Sequence, residues 1–192
     1  MRDMKRKEQA ERTEAELKAA AVRVFERVGY LNAKITEITA EAGRATGSFY
    51  KHFASKEKLL EALLADLLAE GDESAELPGH GTDFADRDTV RWHVALYWGF
   101  YRRHRTVMEA LRQAAIVDPA FARVTREMLE PDLRHLAGHL PDRKDPLVLA
   151  SIFTSVLAGV AESWYSSVPL GSDDAAIEAL TSFIHGGLRA MP

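Results

Sequence analysis

Apolar side chains recur at helical rather than alternating spacing along nearly the whole chain, with Gly or Pro at the junctions. Leu17, Ala20, Ala21, Val24, Phe25 and Val28 fall on one face and predict an amphipathic helix over about residues 14–28, closed by Gly29 as a left-handed cap. Ile35, Ile38 and Ala42 predict a short second helix over 35–42 that ends at Gly43. A third follows over 46–53, where Phe49 and Phe53 lie one turn apart; anchoring them on the first helix leaves the intervening polar side chains outward. Ser55 is the expected N-cap of a fourth helix over about 56–70, with a stripe of Leu59, Leu60, Leu63, Leu64, Leu67 and Leu68. The acidic, glycine-bearing stretch 71–87 is the predicted loop. Further helices are expected near 88–104, 106–117, 119–139, 145–167 and 173–189, with breaks at Arg105, Asp118-Pro119, Pro141 to Pro146 and Pro169 to Ser172. Pro131 should kink or split the third of these. The expectation is an all-α protein of about nine helices, divided into an N-terminal three-helix domain over 1–58 and a C-terminal helical bundle over 59–192.

Composition narrows the chemistry. The chain has 192 residues, 46% of them hydrophobic, enough to bury a core, and no cysteine, which excludes disulfides, Cys-based zinc sites and a Cys nucleophile. The basic start lacks an apolar run behind it and does not resemble a signal peptide, and no stretch of ~18 uninterrupted apolar residues supports a membrane span. A cytoplasmic protein is expected. The net charge of -4 hides an asymmetry: residues 1–60 carry 13 Lys and Arg against 9 Asp and Glu, whereas residues 61–192 carry 12 against 20. A basic third beside an acidic remainder suits a polyanion bound at one end.

The basic third also holds the right geometry. A short helix, a glycine turn and a second helix can place the latter across a DNA major groove, its first turn meeting base edges and phosphates. Thr46 and Ser48 supply short hydroxyls and Gly47 permits close backbone approach. Tyr50, Lys51 and His52 can reach phosphate oxygens, Lys56 adds a cation at the start of the fourth helix, and Lys34 and Thr36 open the second helix. Arg44, after the turn glycine, must snorkel out of the helix junction or reach a phosphate. The basic segment Arg2, Lys5, Arg6, Lys7 and Arg12 is expected to be a flexible arm, solvated or laid along the duplex.

From Leu17 to Leu64 the residues Phe25, Gly29-Tyr30, Ala42-Gly43, Gly47-Ser48-Phe49-Tyr50-Lys51-His52-Phe53, Ser55-Lys56-Glu57 and Leu59 resemble the N-terminal domain of the TetR (tetracycline-repressor-like) family. The resemblance implies a DNA-binding regulator and carries Thr46, Ser48, Tyr50, Lys51, His52 and Lys56 over as DNA contacts. The chain departs from the family in two ways: Arg44 stands where an apolar residue usually follows the turn glycine, and Lys34 and Ala45 stand where the family tends to place Ser or Thr, and Ser, respectively.

The segment 88–104 is apolar or aromatic almost all round and belongs in the middle of a bundle. Its aromatics either fill core or line a cavity for an apolar effector, which the resemblance implies. The candidates are Trp92, Tyr97, Phe100, Phe121, Phe153 and Trp164. The stretches 147–164 and 177–188 resemble the family's last two helices, which pair with their copies. The expected homodimer face comprises Phe153, Leu157 and Val160 on one and Ile177, Leu180, Ile184 and Leu188 on the other. A dimer also suits double-stranded DNA, since two reading helices related by a twofold axis meet successive major grooves of a palindromic operator ~34 Å apart.

No catalytic motif stands out. His135 and His139 share a helix face at a spacing that can hold a metal, but no third ligand is indicated, so neither metal nor cofactor is expected. The expected function is a regulator, a repressor released by an apolar small molecule. The rival is a helical carrier or sensor of hydrophobic molecules without DNA binding.

Overall fold

A computed structural model describes residues 2–75, 79–140, 143–166 and 171–190. The chain is all-helical among these: α1 (Arg2–Val28), α2 (Ile35–Glu41), α3 (Thr46–Phe49), α4 (Lys56–Ala75), α5 (Arg87–Val117), α6 (Pro119–Ala137), α7 (Pro146–Ser166) and α8 (Asp173–Ala190). Residues 76–78 of the expected loop, 141–142 and 169–170 of two expected breaks, and 167–168 just before the second lie outside the described residues.

Eight helices stand where about nine were expected, because 88–104 and 106–117 join as α5 through a kink at His104, with φ -108° and ψ 17°. One non-helical residue bends the ladder without ending it. Pro131 does not split α6 either. It is exposed, as is Glu127 one turn earlier, so the carbonyl released by the missing N–H lies on a solvated face. At the other end of the chain, the expected flexible arm is helical, continuous with α1 from Arg2.

The chain forms two compact units. The first comprises Met1–Leu68 and Thr106–Arg126, the second Ala69–Arg105 and Glu127–Pro192. Their boundary passes through α4, beside the α5 kink, and through α6.

In the first unit the α1 stripe is fully buried at Leu17, Ala20, Ala21 and Val24, as are Ile38 of α2 and Phe49 of α3. Phe49 and Phe53 stack at 5.6 Å between ring centroids, which fixes the rotation of α3 about its axis. Gly43 (φ 63°) makes the turn from α2 to α3, and the next N–H, of Arg44, returns to Thr39 O at 2.8 Å. A side chain at Gly43 would be strained in this left-handed conformation.

The core of the second unit draws on α5 (Val90, Val94, Trp98), α7 (Phe153, Leu157, Ala161) and α8 (Ile177, Leu180, Ile184, Leu188). Ion pairs register α5 against α8: Arg87 and Arg91 both meet Glu178, and Arg102 meets Asp173 at 3.0 Å. The kink is held as well, since Arg103 and His104 reach the two carboxylate oxygens of Glu70 at 3.0 and 2.9 Å.

Candidate nucleic-acid interface

The first helix of the interface begins with backbone chemistry. Lys34 is the N-cap of α2 without a side-chain cap of its own; instead the Glu37 carboxylate accepts the Lys34 backbone N–H at 2.9 Å. That bond leaves the Lys34 ammonium exposed, beside an exposed Thr36. Thr39, buried behind them, donates to Thr36 O at 3.1 Å and lies 3.4 Å from the Thr46 hydroxyl, which links α2 to the first residue of α3.

α3 is shorter than the expected eight residues. Its regular part ends at Phe49, and tighter turns carry the chain on, with Lys51 N–H to Ser48 O at 3.3 Å and His52 N–H to Phe49 O at 2.9 Å. The segment 46–53 is therefore continuous in hydrogen bonding though not uniformly α-helical. Gly47, Tyr50 and Lys51 are exposed, and Ser48 is half-buried. The space beside Gly47 is open, with no atom within 4 Å of where a side chain would begin. Tyr50 is 57% exposed and its ring rests edge-on against Phe49, so the buried Phe supports a phenol aimed outward.

The remaining expected contacts are engaged within the molecule. Arg44 pairs with Glu16 of α1 through Nε at 3.0 Å and through a second, shorter contact from its Nη2. The Arg44 guanidinium, with help from Arg12, holds the Glu16 carboxyl below its ordinary range. The His52 ring is largely covered, its Nδ1 3.8 Å from a Glu14 oxygen.

Lys56 departs furthest from expectation. Its Nζ donates to Tyr30 O at 2.7 Å and to Ala33 O at 3.0 Å, and sits 4.2 Å above the Tyr30 ring. Burial pushes this ammonium below its usual pKa. The neighbouring Glu57 accepts the Tyr30 hydroxyl at 2.9 Å, and Gln113 accepts the Tyr30 backbone N–H at 3.1 Å. Burial, ahead of the Glu57 bond, pushes the Tyr30 phenol up. Lys56 and Glu57 thus latch the start of α4 onto the loop between α1 and α2. Two of the three Lys56 donors satisfy carbonyls that would otherwise be orphaned, and one is left for a phosphate. No charge pattern in the sequence marks this; the signal is the pairing of Gly29-Tyr30 with Lys56-Glu57.

The expected effector residues fall into separate places. Phe121 belongs to the first unit and is buried. In the second unit Phe153 is buried against Phe84 at 5.1 Å, Trp92 lies 5.0 Å from His80, Phe100 lies 4.7 Å from His104, and the Trp164 ring meets Trp98 at 5.6 Å. Tyr97, half-buried, stands 6.3 Å from Tyr101. Two residues absent from the expected set, Trp98 and Tyr165, complete the aromatic group around Trp164: their rings are 5.7 Å apart, with the buried Trp98 indole beside the Tyr165 hydroxyl.

The expected dimer residues face inward. Phe153, Leu157, Ile177, Leu180, Ile184 and Leu188 are all buried within the chain itself, and Val160 is half-buried. What α7 and α8 leave outside is a different stripe: Val148 (57% exposed), Ile152 (48%), Ser155 and Gly159 on α7, with Ala179, Phe183 (70%) and Gly186 on α8. α7 is long and apolar enough by composition to cross a membrane, with little of it buried inside the chain. Its polar members, Ser151, Thr154, Ser155 and Ser163, interrupt the run, so a search for unbroken apolar sequence passes over it.

Known proteins agree with this geometry. Residues 17–63 match the domain described as "Bacterial regulatory proteins, tetR family". The HTH-type transcriptional repressor NicS of Pseudomonas putida is 30% identical over 147 residues, 76% of this chain and 66% of that protein, so the match spans just under two thirds of that relative. Among solved structures, the fatty acid degradation regulator FadR from Bacillus halodurans superposes with a TM-score of 0.77 at 20% identity, covering 92% of this chain and 96% of that chain. A TetR-like transcriptional regulator from Rhodococcus sp. RHA1 gives 0.70 at 23% identity, with the same coverage. These two likenesses concern the fold. All three are regulators. With the helix-turn-helix built as described, the chain belongs to the tetR family of bacterial regulatory proteins.

Proposed function

We propose that the protein is a cytoplasmic, homodimeric transcriptional repressor that grips a palindromic operator and releases it when an apolar small molecule occupies its C-terminal part. The observation that carries this reading is the outward face of residues 46–51, where Gly47, Tyr50 and Lys51 are exposed on a backbone fixed from behind by Phe49. In this reading 1–58 is the DNA-binding domain and 59–192 the effector and dimerisation domain. Thr46, Gly47 and Ser48 approach the bases; Lys34, Thr36, Tyr50 and Lys51 meet phosphates. Arg44 and His52 join them by exchanging Glu16 and Glu14 for the duplex.

NicS is a transcriptional repressor, which supports repression, and FadR regulates fatty acid degradation, which supports an effector with an apolar chain. The group of Trp98, Trp164 and Tyr165 suits such a guest. The second copy is assigned to the exposed stripe around Val148, Ile152 and Phe183, because large apolar side chains grouped on adjacent helices require cover. Release is a shift between two conformations, and the kink at His104 and its Glu70 anchor form the bistable element. To lower operator occupancy from 99% to 1%, the effector must favour the released form by ~5.5 kcal/mol.

The test is fluorescence anisotropy with the DNA upstream of the chain's own gene, measured across salt concentrations. Tight binding that weakens steeply with salt supports the proposal. Absent or salt-insensitive binding favours the hydrophobic carrier instead.

A further inference from the structure

The second unit contains a cluster of histidines that DNA reading does not use. His80, from the loop before α5, His93, on α5, and His139, in the turn after α6, each offer one ring nitrogen, and these atoms all lie within 4.8 Å of one another. His135, the partner expected from helical spacing, is exposed: its ring packs against those of His80 and His139 at 5.9 and 5.1 Å, its backbone carbonyl accepts from His139, and its ring nitrogens are not among the three that converge. From this convergence we propose that His80, His93 and His139 form a binding site for a divalent transition metal ion of the Zn2+ class.

The tautomers favour it. His93 Nδ1 donates to Thr89 O at 2.9 Å and His139 Nδ1 donates to His135 O at 3.1 Å. A carbonyl can only accept, so both neutral rings carry their proton on Nδ1 and present a bare Nε2 lone pair. Imidazoles that hold metal ions are oriented in this way, by a backbone acceptor on the far nitrogen. His80 Nε2–H donates to the bare His139 Nε2 at 3.1 Å, a proton that a bound ion would replace. Two nitrogens sharing a tetrahedral Zn2+ at the usual ~2.0–2.1 Å bond length sit ~3.3 Å apart. Burial is the main reason the His93 imidazole is pushed down to about 4 and His139 below its ordinary value.

The loop is built to deliver His80. Gly79 has φ +93°, and a Cβ at Gly81 would collide with the Thr89 side chain, so residues on both sides of His80 must be glycine for the loop to lie this close to α5. Phe84 N–H binds His139 O at 3.2 Å, tying the same loop to the turn after α6. Phe84 packs on His93 and His139 at 4.9 and 5.3 Å, and Trp92 covers His80 at 5.0 Å, an apolar wall that strengthens coordination. Three imidazoles without thiolate or carboxylate suit Zn2+, Cu2+, Ni2+ or Co2+ rather than Mg2+ or Ca2+. A fourth position is left for water or an effector group. The ion would clamp the loop, α5 and the α6 turn together.

The proposal stands apart from DNA binding and is tested without it. Untagged full-length protein, stripped with a chelator, is titrated with Co2+ for the visible absorption of a tetrahedral site, and with Zn2+ against a fluorescent chelator. The expected result is one ion per chain, with His80→Ala, His93→Gln and His139→Gln each weakening Zn2+ binding by ~100-fold or more, at least the upper end of what outer-shell changes cost. His135→Ala should bind Zn2+ within a few-fold of the unchanged chain. His80 lies in a loop, so His80→Ala keeps the helical circular dichroism even if the other two variants lose it. Zn2+ should raise the melting temperature of the unchanged chain and not that of His80→Ala. Absence of the Co2+ band and of saturable Zn2+ binding would overturn the site, as would His80→Ala binding Zn2+ like the unchanged protein.

Discussion

The helix-turn-helix and the pair α7–α8 answer differently to the same kind of reasoning. Around α3 the face turned outward is the one the sequence points to, because two phenylalanines one turn apart leave a single possible rotation. On α7 and α8 the largest residues were expected at a surface shared with a second copy, yet they fill the chain's own core, and Val148, Ile152 and Phe183 are outside. A helix with one apolar stripe reports its own orientation. One that is apolar nearly all round, as LVLASIFTSVLAGVA is, carries no phase, and size does not supply it: Ala150 and Ala161 are buried while Val148 and Ile152 are outside.

Substitutions sharpen this contrast, beginning with the most damaging. Leu157→Glu places an unpaired charge in the core and should cost roughly 3–5 kcal/mol, seen as loss of cooperative thermal unfolding. Ile152→Glu or Phe183→Glu on the exposed stripe should leave the helical spectrum intact and yield monomers by light scattering. If Leu157→Glu stays folded and monomeric while Ile152→Glu remains dimeric, the two faces have been exchanged.

Next in size is Lys56→Met. Removing a charged donor from the Tyr30 and Ala33 carbonyls should destabilise the first unit by ~1.5–3 kcal/mol, lowering the melting temperature. The salt dependence of DNA binding by the folded fraction reads the donor left over: a shallower slope places it on a phosphate, and an unchanged slope leaves Lys56 a latch alone. Gly43→Ala should cost ~1–2 kcal/mol from the left-handed conformation alone, read in the same melt. The smallest effect is expected of Glu16→Gln, which frees Arg44. DNA affinity should rise a few-fold with a steeper salt dependence, and no change would mean that Arg44 stays with α1.

Much of the fold was legible in the sequence, and the reasons are local. The stripe Leu17 to Phe25, the glycine at the α2–α3 turn and the Phe49–Phe53 pair are short-range signals that tertiary contacts reinforce. Lys56 was not legible as a latch, because its partners are carbonyl groups 23 and 26 residues away and backbone acceptors have no sequence identity. The helical start at Arg2 is equally opaque. Cations there oppose the helix dipole, which argues for fraying in isolation and for an anion nearby in function. The histidine cluster is not legible for a topological reason: helical spacing pairs His135 with His139, whose rings do meet at 5.1 Å, but the nitrogen facing His139 Nε2 belongs to His80, across a loop and 59 residues away.

The central claim, that the outward face of residues 46–51 grips a duplex, is tested most directly by the salt dependence of binding to the upstream DNA for the unchanged chain and for Lys51→Ala. The account predicts weaker binding on every sequence tried and a slope of log K against log salt shallower by about one for each reading head. An identical slope and affinity in the two proteins would contradict it.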